Sequence, residues 1–125
     1  MDVQVLVVED DPDVLLLLQD LLESYPWTFV VRSTGRGRDA IELARQAPPD
    51  LVLLDVRLAD EVNGLTVARE LRSHPATVHA KIVILSAMDD PIDQHAGKRA
   101  GADEYVTKPV QNRILLAVLT ELLDS

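Results

Sequence analysis

The chain has no cysteine. Disulfides and thiolate metal centres are therefore excluded, and any metal site has to use oxygen or nitrogen donors. Aromatic residues make up only 3%, so the 47% hydrophobic fraction is mostly aliphatic. Basic residues are also scarce, at 12 Lys and Arg against 21 Asp and Glu, a formal net charge of -9. Direct nucleic-acid binding needs clustered Lys and Arg against phosphates, and this balance argues against it. It suits cations or a basic partner surface, and equally plain solubility. Long apolar runs are missing too. The leucines Leu15 to Leu18 are far too few to cross a bilayer, and nothing resembles a signal peptide. The expectation is a soluble cytoplasmic protein without membrane association. A length of 125 residues suits one domain, 1–125, with one core.

What is present is a regular alternation. Apolar runs at Val3–Val8, Phe29–Arg32, Leu51–Leu54, Lys81–Ser86 and Glu104–Val106 read as strands. Between and after them, helical spacing predicts helices from Pro12 to about Ser24, Arg38 to Gln46, Leu65 to Arg72, Pro91 to about Ala100, and about Asn112 to Leu123. Asp11 before Pro12 suits an N-cap, Asp90 can cap the fourth helix, and Gly101 closes it. Five strands alternating with five helices predict an α/β fold, a doubly wound parallel sheet covered on both faces.

Polar residues stand where the strands end. Asp55 follows the buried run Leu51–Leu54; taken alone it could equally be a helix cap or a loop aspartate. Glu9 and Asp10 close the first strand, Ser86 the fourth, and Lys108 follows the fifth. With strand order 2-1-3-4-5 these ends surround one crevice, where open α/β sheets bind ligands. Carboxylates on three sides suit a hard cation such as Mg2+. A lysine and a hydroxyl beside them suit phosphoryl oxygens, and the whole set holds the parts of phosphoryl transfer to aspartate.

Four segments together resemble the response-regulator receiver domains of two-component signalling, with the flavodoxin-like (βα)5 fold of the chemotaxis response regulator. VLVVEDDPDV resembles the first strand and acidic pair, PDLVLLDVRL the segment with the phosphoryl-accepting aspartate, IVILSA the switch hydroxyl segment, and AGADEYVTKPV the segment with the switch aromatic and lysine. The resemblance covers essentially the whole chain. It implies Asp55 as phosphoacceptor, and Mg2+ (for which Mn2+ can substitute) on Glu9, Asp10, Asp55 and the Arg57 backbone carbonyl. It implies Ser86, Ala87, Tyr105 and Lys108 as phosphoryl-binding and switch residues, and a cis bond before Pro109. The implied partners are a histidine kinase or histidine phosphotransfer protein, and a downstream effector. Leu16 falls nearly opposite the core face of its helix; with Leu15 and Val110 it is expected to form part of the kinase-docking surface. Gly97 inside the fourth helix costs about 1 kcal/mol relative to alanine, so that helix should shift easily.

The chain also departs from the family pattern. Ala59 stands where proline is usual, and the loop to Gly64 is one residue longer than the commonest form. Glu9 replaces the commoner aspartate, and Val110 stands where phenylalanine is common. Three rival readings remain. A phosphatase or phosphotransferase with an aspartyl-phosphate intermediate commonly carries a general-acid aspartate two residues after the nucleophile, where this chain has Arg57. A flavin or nucleotide module wants a glycine- or hydroxyl-rich loop after the first strand, where this chain has three acids. A degenerate receiver acting only as an interaction module would not need the intact acid, aspartate, hydroxyl and lysine set.

Overall fold

The computed structural model describes residues 2–58, 60–87 and 91–124, with Pro91 and Ile92 described by backbone alone. Strands β1 (Asp2–Val8), β2 (Thr28–Thr34), β3 (Leu51–Asp55), β4 (Lys81–Ser86) and β5 (Glu104–Thr107) alternate with five helices. These are α1 (Pro12–Ser24), α2 (Gly37–Gln46), α3 (Gly64–Ser73), α4 (Pro91–Arg99) and α5 (Asn112–Leu123). All strand pairs are parallel, in the order β2-β1-β3-β4-β5. This is the expected doubly wound, flavodoxin-like architecture.

The unbroken apolar runs follow from burial on both faces. Successive residues of a strand point to opposite faces. Leu6, Val8, Val52, Leu54, Ile82 and Ile84 therefore join one core with Ala40 and Ala44 of α2 and Val67, Ala68 and Leu71 of α3. Val5, Val7, Leu51, Leu53, Val83 and Leu85 join the other with Leu18 and Leu22 of α1 and Leu115 and Leu119 of α5. Each fully buried leucine contributes about 1.5–3 kcal/mol of transfer free energy. Strand β3 is in the middle with every residue buried, so the residue that ends it is held at a rigid rim.

The helix boundaries have local causes. The Asp11 carboxylate accepts the Asp13 N–H at 2.9 Å and caps α1, with Pro12 at its first position. Asn63 caps α3 in the same way through the Thr66 N–H. Gly101 follows α4 at φ +113°, in the left-handed region. The expected cap at Asp90 and the alanine at position 59 lie outside the described residues.

Candidate functional site

The carboxyl ends of the neighbouring strands β1, β3, β4 and β5 lie side by side at one edge of the sheet. The parallel ladders place its residues. Glu9 extends β1 by one more bond, its N–H donating to the Thr34 carbonyl at 2.9 Å. Lys108 extends β5 likewise, its N–H donating to the Ser86 carbonyl at 2.7 Å. Asp55 is paired in register with Leu85, and Ser86 with Thr107. Gly64 lets the chain return close beneath the site: a Cβ there would be 2.1 Å from the Asp55 carbonyl oxygen, and its N–H donates to the Val56 carbonyl at 2.8 Å.

Two carboxylates face one ammonium, and a third carboxylate stands beside them. Oxygens of Glu9, Asp10 and Asp55, one from each, lie within 4.8 Å of one another. Lys108 Nζ donates to Glu9 Oε1 at 2.7 Å and is 3.3 Å from Asp55 Oδ2. Glu9 Oε2 accepts the Asp11 N–H at 3.1 Å, and Asp55 Oδ1 faces the Arg57 N–H at 3.4 Å. Glu9, Asp55 and Ser86 are buried, whereas Asp10 and the Arg57 and Ala87 side chains are exposed. Burial pushes the Glu9 carboxyl above its ordinary value, with the charge of Asp55 adding to the rise. Burial alone would lower Lys108, but the hydrogen bond to Glu9 and the negative charge of Asp55 outweigh it and hold the ammonium above its usual range. The lysine is therefore a fixed cation at neutral pH. All three acidic groups offer hard oxygen donors, one of them opening to solvent, which fits a divalent cation of the Mg2+ class.

A family model for the response regulator receiver domain matches residues 5–120. The chain belongs to the response-regulator receiver family. It is 33% identical over 120 residues to PilH of Pseudomonas aeruginosa, covering 96% of this chain and 97% of that protein. It is 38% identical over 119 residues to the TorCAD operon transcriptional regulatory protein TorR of Escherichia coli O157:H7, covering 95% of this chain and 49% of TorR. The receiver domain of the sensor histidine kinase PA1611 from Pseudomonas aeruginosa PAO1, solved with a magnesium ion in its active-site cleft, has a TM-score of 0.88 at 26% identity, covering both chains fully.

The remaining residues singled out in the sequence occupy different surroundings in this receiver. The Lys108–Pro109 bond is cis. Tyr105 is half-buried on the α2/α3 side of the sheet, with its ring against Gly97 of α4. A Cβ at Gly97 would be 2.8 Å from Tyr105 Cδ2 and 3.1 Å from Ile84 Cδ1. The glycine that reads as a helix defect thus makes room for the aromatic ring. Leu16 is 60% exposed, and Leu15 is half-buried. Val110 is buried in the same cluster that Leu15 packs against, so its side chain has little surface to offer a partner.

Sequence reasoning passed over Asp60. Its Oδ1 accepts the Gly37 N–H at 3.0 Å and its Oδ2 the Arg38 N–H at 3.1 Å. The legible signal was an absence. Arg36, at the N-cap of α2, has a side chain that caps nothing, so the helix needs an acceptor from elsewhere. No helix among the described residues is long and apolar enough to cross a membrane.

Proposed function

We propose that residues 1–125 form one receiver domain that takes a phosphoryl group onto Asp55 from the phosphohistidine of a histidine kinase or histidine phosphotransfer protein. The observation that carries this reading is a buried strand-end carboxylate 3.3 Å from a lysine ammonium, beside oxygens of two further acids. An Asp55 oxygen forms the new P–O bond while the donor's P–N bond breaks, and the imidazole leaves. Rigid placement of Asp55 at the end of β3 orients the attack. Lys108, already a fixed cation within reach of Asp55, meets the oxygens of the transferred group, and the Ser86 hydroxyl offers them a donor. Mg2+, when bound, supplies charge neutralisation to the reacting oxygens. Asp10, Asp55 and the Arg57 carbonyl would hold it, with Glu9 acting through water, and Mn2+ can use the same oxygens. Water later attacks phosphorus, releases inorganic phosphate and restores Asp55. The chain thus catalyses only its own phosphorylation and dephosphorylation. Arg57 supplies no general acid, which disfavours a phosphatase acting on a separate substrate.

On this reading the exposed Leu16, with Leu15 beside it and Val110 underlying the same cluster, belongs to the surface where the phosphodonor docks. Loading of Asp55 draws the Ser86 hydroxyl toward the phosphoryl group. The space beside Ala87 opens and the Tyr105 ring turns off Gly97, changing the surface of α4, β5 and α5 that an effector reads. Direct contact with nucleic acid or membrane has no part in this role, which would be played in the cytoplasm. With Mg2+ and acetyl phosphate, intact-mass measurement should show one phosphoryl group on the wild type and none on Asp55→Asn. An adduct surviving on that variant moves the nucleophile elsewhere.

A further inference from the structure

Helix α2 starts without a cap of its own, and the acceptor it lacks comes from the loop that follows Asp55. Asp60 takes two N–H groups of the first turn of α2 on its two oxygens. Gly37 is what permits the approach, since a Cβ there would be 2.3 Å from the Val62 carbonyl oxygen. Backbone hydrogen bonds, first from Arg38 and then from Gly37, Val62 and Asp60 itself, hold the Asp60 carboxyl below its ordinary value. Arg38 also pairs with Glu61 next in the loop. Just ahead of α2, Gly35 lies against Asp10, where a Cβ would be 3.0 Å from the Asp10 Cα. Asp60 is three residues from Arg57 along the chain. One carboxylate therefore fastens the loop carrying the Arg57 carbonyl to the segment packed on Asp10.

We propose that Asp60 is a positioning residue for the cation site, holding the loop that carries the Arg57 carbonyl in register with Asp10 by capping α2 from outside that helix. The inference rests on the reading of Glu9, Asp10, Asp55 and Arg57 as the Mg2+ site. Outer groups that orient ligands typically change metal affinity by about 10–100-fold when removed. Asp60 acts through backbone rather than through a ligand side chain, so the lower end of that range applies.

The test is a Mg2+ titration followed by amide NMR shifts of Asp10 and Arg57, run on the wild type, Asp60→Ala, Asp60→Asn and Asp50→Ala. Asp50 makes a comparable carboxylate-to-backbone bond, accepting the Gln4 N–H at 2.8 Å, but at the opposite end of the sheet. Asp60→Ala should weaken Mg2+ binding about tenfold, and Asp60→Asn, which keeps one acceptor, should fall between it and the wild type. Asp50→Ala should leave the affinity unchanged whatever it does to thermal stability. At saturating Mg2+, Asp60→Ala should label with acetyl phosphate close to the wild-type rate. Wild-type affinity in both Asp60 variants, or equal weakening in Asp50→Ala, would overturn the positioning role while leaving the Mg2+ site intact. A wild type that does not bind Mg2+ would overturn the site itself, and the positioning role with it.

Discussion

The two ends of the sheet handle charge in opposite ways. At the amino ends of β4 and β5, the Arg72 guanidinium donates to the carbonyls of Gly101 at 2.7 Å, Val78 at 2.9 Å and Ala80 at 2.5 Å, and to Asp103 Oδ2 at 2.6 Å. The same Asp103 oxygen accepts the Ile82 N–H at 2.7 Å. Arg72 and Asp103 thus meet each other and nearby backbone groups, and the outcome is a clamp joining α3, β4 and the approach to β5. At the carboxyl ends, oxygens of Glu9, Asp10 and Asp55 lie within 4.8 Å of one another, and one lysine meets two of these acids, Glu9 at 2.7 Å and Asp55 at 3.3 Å. That end carries like charges whose repulsion a cation can relieve. On the proposed function, the balanced end supports the fold and the unbalanced end carries the chemistry.

The largest effect that would break this contrast lies at the balanced end. Arg72→Ala leaves Asp103 without its cation and three carbonyls without their donor, and should cost about 2–3 kcal/mol in urea unfolding. Acetyl phosphate labelling of the folded variant should persist. Loss of labelling in a folded Arg72→Ala protein would mean the two ends are not separable.

A smaller, pH-dependent effect belongs to the unbalanced end. Glu9 has a folded-state pKa raised above its ordinary value of 4.5, so the native protein holds that proton more tightly than the unfolded chain. The associated stability is complete below 4.5 and is lost as pH rises through the folded value. In the absence of Mg2+, the wild type should lose stability relative to Glu9→Gln as pH climbs through that window. Parallel pH curves for the two proteins would show that the site carries no such strain.

The smallest change in stability is expected at Gly97→Ala. Alanine favours the helix by about 1 kcal/mol, while its Cβ meets the Tyr105 ring, so the net effect should stay within about 1 kcal/mol. The Tyr105 resonances should nonetheless shift strongly, because the ring loses its seat. An unchanged Tyr105 environment would detach α4 from the proposed switch.

These contrasts differ in how far the sequence reveals them. Strand ends announce themselves, because a run such as Leu51–Leu54 stops at a charge, and the residues Glu9, Asp10, Asp55, Ser86 and Lys108 are legible one strand at a time. The parallel order then brings them together, as the alternation of strands and helices predicted. Contacts between distant loops are not legible that way. Asp60 reads as one more surface acid until α2 is seen to lack a cap, and Arg72 as an ordinary last-turn cation until Asp103 lies beside it. Gly97 reads as a flaw because its partner, Tyr105, arrives from another element. The burial of Val110 is hidden in the same way, since its neighbours Leu115 and Leu119 come from the helix that follows.

On the proposed function, Asp55 itself receives the phosphoryl group. Borohydride reduction of the protein labelled with acetyl phosphate and Mg2+ converts an aspartyl phosphate to homoserine, and peptide mass spectrometry then reads its position. Homoserine at residue 55 alone is the expected result; reduction at Glu9 or Asp10, or a label held on a histidine and untouched by borohydride, would place the phosphoryl group elsewhere.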